Sequence, residues 1–126
     1  MTQSMDGRPQ DAAARAQLDQ DTLRELRAVL GKDFRMLVDT WVADSRVRLQ
    51  ALQSALAGQD AAALREAAHS LKGSSLNLGA LRLADFCLAL EVAARAGDLA
   101  QAARLLPPVE SEYRQVAPLL VRIAGG

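Results

Sequence analysis

The sequence is poor in the residues that most chemistry and most recognition depend on. It holds one cysteine in 126 residues, which leaves no internal disulfide and no multi-cysteine zinc site. It holds one histidine, which excludes any site built on two imidazoles. Aromatic residues make up 3%, too few for the sandwiches and barrels in which aromatic and β-branched residues concentrate. No charge of one sign is in excess. Fifteen basic residues meet fifteen acidic ones, which argues against a nucleic-acid-binding domain with its basic stripe. No apolar run approaches the ~20 residues of a membrane span, and the opening MTQSMDGRPQDAAARAQ lacks the apolar core of a secretory signal.

What is present points to helix. Half of the residues are hydrophobic, and alanine and leucine, both strong helix formers, dominate them. The length suits one domain with a core of its own. Residues 1–17, with Gly7, Pro9 and small polar residues, read as a tail, disordered or weakly helical, and 18–124 as the domain. Glycine followed by aspartate recurs at Gly31/Asp33, Gly58/Asp60 and Gly97-Asp98, with a further break at Gly79. Glycine past one helix end and aspartate at the next N-cap are stop and start signals. They divide the chain into segments of about 19–30, 33–57, 60–78, 80–96 and 98–123.

Each segment carries an apolar stripe at helical spacing, for example Phe34, Leu37, Trp41, Leu49, Leu52 and Leu56 in the second. Leu99, Ala102, Leu106, Val109, Tyr113, Val116 and Leu120 form the stripe of the fifth. Its phase holds across Pro107 and Pro108, so a kink or short restart is expected there. Connections of two or three residues imply antiparallel neighbours. The expected fold is all-α: an up-and-down antiparallel four-helix bundle from segments two to five, with a short additional N-terminal helix.

The single histidine lies in the third segment, DAAALREAAHSLKGSSLNL. At 100° per residue Leu64, Ala67, Ala68, Leu71, Ser75 and Leu78 share one face, and His69 points away from it with Arg65, Lys72, Gly73 and Leu76. A lone surface histidine is usually only a polar residue. Here Lys72 is one turn on, and Gly73 sits directly above the imidazole at a cost of ~1 kcal/mol relative to alanine. Glycine there clears space beside the ring. Leu76 is an apolar residue on an exposed face, in place as a contact. A neutral imidazole is a competent nucleophile, and phosphoryl transfer asks mainly for positioning and charge neutralisation. Cys87 falls on an apolar stripe and reads as core.

Ala68-His69-Ser70-Leu71-Lys72-Gly73-Ser74-Ser75 with Gly79-Ala80 resembles the motif of the histidine-containing phosphotransfer (HPt) domain, and the pattern of about 19–120 resembles that family's layout. The resemblance implies that His69 is the phosphoacceptor, taking a phosphoryl group from a receiver-domain aspartate and passing it to another response regulator. Lys72 would stabilise charge and Gly73 give clearance. Glu91 matches the place from which family members orient the imidazole. Read from the residues alone, Glu91 is equally a solvated side chain or an i,i+4 partner of Arg95. Arg65, Leu76 and Arg95 would help to bind the partner. The expected partners are receiver domains of hybrid kinases and response regulators, with no nucleic acid and no membrane.

No cofactor is expected on this chain, Mg²⁺ belonging to the receiver. A monomeric cytoplasmic protein without autonomous kinase activity is the expectation. Two alternatives stand beside it: a helical adaptor without chemistry, and an HPt-like fragment of a chemotaxis-type kinase.

Overall fold

The computed structural model describes residues 15–125, and five helices account for most of them. They are α1 (Gln20–Leu30), α2 (Asp33–Ala57), α3 (Ala61–Asn77), α4 (Leu81–Arg95) and α5 (Leu99–Gly125). Helices α2 to α5 pack in cyclic order, each on the next, and α5 closes on α2. Helix α1 lies against α2. Connectors of two or three residues make successive long helices antiparallel, so this is the expected bundle with its short extra helix. Among the described residues no helix is long and apolar enough to cross a membrane.

The core is aliphatic. Leu52, Leu64, Leu71, Leu78, Leu83, Leu90 and Leu120 are fully buried, with Val38, Val109 and Val116 between them. Each buried leucine is worth roughly 1.5–3 kcal/mol in transfer free energy, which places the bulk of the stability in these stripes. Cys87 is buried among them, as its phase implied. Polar ties are few. The hydroxyls of Ser45 and Tyr113 lie 3.0 Å apart, joining α2 to α5, and Ser45 also donates to the Trp41 carbonyl at 2.6 Å.

The start and stop signals worked unevenly. Asp19 caps α1, Asp60 caps α3 by accepting from the Ala63 amide at 3.0 Å, and Asp98 accepts from the Gln101 amide at 3.0 Å. Asp33 does not cap α2. It is already helical, and the cap position falls on Lys32, which offers no side-chain bond. The reason is the tightness of the turn, in which the Phe34 amide donates back to the Gly31 carbonyl. Gly79 is required for two reasons. Its φ of +73° disfavours a side chain, and a Cβ there would lie 3.2 Å from the Asp19 carbonyl oxygen and from Thr22.

Helix α5 runs through Pro107, Pro108 and Pro118 without the restart allowed for by the sequence. Its buried face, from Ala102 to Leu120, is held against α2 and α4, and this packing outweighs the local cost of the missing amides. The expected tail falls mostly outside the described residues. Residues 15–19 are non-helical and fastened to the bundle. Arg15 pairs with Asp85 at 2.8 Å, Arg82 donates to the Arg15 carbonyl, and the Asp19 amide donates to the Gly79 carbonyl.

Candidate functional site

The site is made by two helices that the turn at 78–80 sets side by side. Helix α3 buries Leu64, Ala67, Ala68, Leu71 and Ser75 and turns His69 outward, its side chain 68% exposed. Helix α4 brings Glu91 up beneath it. Glu91 is only 2% exposed, so the solvated reading of this residue is overturned. The other two readings hold together. Glu91 Oε2 lies 3.0 Å from His69 Nδ1 and also accepts from the Arg95 guanidinium at 3.0 Å, while Oε1 forms an ion pair with Lys72 Nζ at 2.8 Å. One carboxylate thus gathers the imidazole and two cations.

Burial works against ionisation of Glu91, but the hydrogen bonds and charges of Lys72 and His69 outweigh it and leave its acidity stronger than that of an ordinary glutamate. At neutral pH it is a carboxylate and can only accept. The neutral His69 ring must therefore carry its proton on Nδ1, and the lone pair on Nε2 points away from the carboxylate. Fixing one ring nitrogen through the hydrogen bond of the other is the usual means of setting a histidine tautomer.

Gly73 faces open space, and a Cβ built there meets nothing within 4 Å. Among the described residues the glycine serves no packing purpose, although it lowers helix propensity. Arg65 is exposed, one turn before His69, and makes no ion pair among the described residues. Leu76 is 44% exposed on the same face. The structure thus brings His69, Lys72, Glu91 and Arg95 into direct contact, and sets Arg65, Gly73 and Leu76 around them. The sequence reading did not include a groove on the opposite flank of α3, lined by Leu37, Thr40, Trp41 and Asp44 of α2 and by Ser74, Asn77 and Leu78. The register of α2 against α3, which forms this groove, cannot be read from spacing.

A sequence profile of the Hpt domain matches residues 36–118. The chain belongs to the Hpt domain family. It is similar to the crystal structure of histidine-containing phosphotransfer protein B from Pseudomonas aeruginosa, with 40% identity and a TM-score of 0.84. The match covers 89% of this chain and 97% of that one. No curated protein matches in a sequence search. As an Hpt protein the chain is a histidine phosphotransfer intermediate in phosphorelay signalling, and its partners are receiver domains of two-component systems. The non-catalytic adaptor reading falls with this membership.

Proposed function

We propose that His69 is the residue that carries the phosphoryl group, accepting it from a receiver aspartate and passing it to a second response regulator. The observation that supports this most is the contact between Nδ1 of His69 and the buried carboxylate of Glu91, which leaves Nε2 free and exposed. In the accepting step the Nε2 lone pair attacks phosphorus. The bond from phosphorus to the aspartate oxygen breaks, and the carboxylate leaves with its electron pair. The ring, now bonded at both nitrogens, carries positive charge, and Glu91 stabilises it from the Nδ1 side much as a triad carboxylate stabilises an imidazolium. Lys72 and Arg95 place positive charge beside the transferring group. Gly73 leaves room for the receiver's own site, which supplies Mg²⁺. This chain contributes no cofactor.

Arg65, Leu76 and Arg95 contribute to docking. The protein acts as a monomer in the cytoplasm and neither binds ATP nor phosphorylates itself. The test is profiling with phosphorylated receiver domains from the source organism. At least one should label the parent with acid-labile phosphate and leave the His69→Gln variant unlabelled. Equal labelling of the two proteins, or acid-stable label, overturns the assignment.

A further inference from the structure

Residues 15–19 run without helix across the start of α4 and onto α5, and polar bonds hold them there. Arg15 pairs with Asp85 at 2.8 Å, and Arg82 Nε donates to the Arg15 carbonyl at 2.8 Å. Gln17 donates to Gln115 at 3.3 Å, and the Asp19 amide donates to the Gly79 carbonyl at 2.8 Å. Beneath this strap lies Glu112 of α5, 3% exposed, with Gln17 beside it. Its Oε2 has no partner among the described residues. Phosphoryl transfer makes no use of this carboxyl.

We infer that the strap is a proton-dependent latch, which lies closed over Glu112 while that carboxyl is protonated and lifts as it ionises. Arg82 couples the two. Its Nε is bonded to the strap at the Arg15 carbonyl, and its Nη1 lies 3.9 Å from Glu112 Oε1, too far for a hydrogen bond. A protonated Glu112 leaves Arg82 with the strap. An ionised one is a buried charge with an unpaired oxygen, and it must be paired or hydrated. Drawing Arg82 onto it takes the donor from the Arg15 carbonyl, and admitting water displaces Gln17. Either event lifts the strap.

The other charges nearby do not replace Arg82. Asp85 of α4 and Arg15 of the strap neutralise each other, Asp19 caps α1, and Arg114 on α5 is exposed. Helix α2 meets α5 on another face, through Ser45 to Tyr113 and Gln53 to Glu110. Burial holds the Glu112 carboxyl above the ordinary carboxylate range, despite Gln17 and Arg82. The closed strap therefore keeps a proton that the open one gives up. Opening grows with pH from the ordinary value of ~4.3 up to the raised one, by up to about tenfold per pH unit for one proton, and levels off above it.

The test is amide hydrogen exchange of the full chain from about pH 4 to pH 8, read as protection relative to the intrinsic rate. The Asp19 amide, bonded to Gly79, reports the strap, and the Leu90 amide within α4 reports global unfolding. Asp19 should be less protected than Leu90, and its protection should fall by about tenfold as pH rises. Glu112→Gln should remove this fall. That variant retains His69 and Asp19, so a dependence owed to either would survive in it. Arg82→Met should lower Asp19 protection already at pH 4, because it removes the donor to the Arg15 carbonyl. Asp19 protection equal to that of Leu90 at every pH, or a fall of the same size in Glu112→Gln, overturns the latch. Parent-level Asp19 protection in Arg82→Met at pH 4 overturns the coupling through Arg82.

Discussion

The carboxylate of Glu91 is where structure and chemistry meet most directly, and replacing it by alanine separates its two roles. The substitution removes three contacts at 2.8–3.0 Å. They are not equal. His69 and Arg95 are more than half exposed and regain water when released. Each such pair is worth ~0–1 kcal/mol. Lys72 is 22% exposed, so the loss of its partner costs a fraction of the ~3–5 kcal/mol of a fully buried broken pair. With one buried methylene lost at ~0.8 kcal/mol, the total is about 3 kcal/mol. For a domain of this size that lowers Tm by roughly 10 °C.

Stability alone would not show that Glu91 sets the tautomer. Because the chain has one histidine, its ring nitrogen resonances are unambiguous. At pH 8 the parent should show the proton on Nδ1. Glu91→Ala should show a mixture with the Nε2-protonated form, which has no lone pair on Nε2, and phosphoramidate labelling at Nε2 should slow accordingly. Glu91→Gln keeps a carbonyl oxygen for the Nδ1 proton and should retain the parent tautomer despite losing the charge. A Glu91→Ala ring spectrum identical to the parent's would refute the argument that the carboxylate fixes the ring.

Other substitutions probe separate parts of the molecule. Gly73→Ala should add about 1 kcal/mol of stability and raise Tm by roughly 4 °C, since the new Cβ meets nothing. Gly73→Gln should keep phosphoramidate labelling but slow transfer from a receiver, and normal transfer would remove the clearance role. Glu112 on α5 is buried with one carboxylate oxygen unpartnered, and burial raises its pKa despite Gln17 and Arg82 nearby. A raised carboxyl contributes stability below its unfolded pKa of ~4.3 and loses it as pH rises through the folded value. Glu112→Gln should therefore raise Tm at pH 7, with the gain shrinking toward pH 4 in a series of melts. Burial also pushes the Cys87 thiol up, so it should resist alkylation in the native protein and react fully in denaturant.

The outward turn of His69 and the burial of Leu64, Leu71 and Cys87 were legible because helical phase alone decides them. The five segments were legible because glycine and aspartate punctuate them. Phase does not give the depth at which a neighbouring helix sits. Glu91 is charged, and its sequence context allowed exposure. It is buried because α4 lies close enough for Lys72 and Arg95 to neutralise it from two sides. The groove beside Trp41 and the fastening of Arg15 to Asp85 depend in the same way on how elements far apart in sequence meet. The missing cap at Asp33 has a local cause, since the bond that closes the Gly31 turn moves the helix start one residue earlier than the aspartate rule places it.

The ion pair between Lys72 and Glu91 bears on the direction of transfer. A carrier must both accept and release the phosphoryl group, so charge that held it too firmly would speed the first step and stall the second. With Glu91 ionised, Lys72 and Arg95 leave one net positive charge beside a neutral imidazole. Neutralising Glu91 leaves two. Glu91→Gln should therefore shift the exchange with one receiver toward phosphohistidine. The lost support of the carboxylate for the positively charged ring works the other way, so the shift is the attraction of the two cations for the phosphate less that loss. The measurement is the forward and reverse rate with the same receiver and Mg²⁺ concentration. An equilibrium ratio unchanged from the parent would mean that the net charge of this cluster does not set the balance.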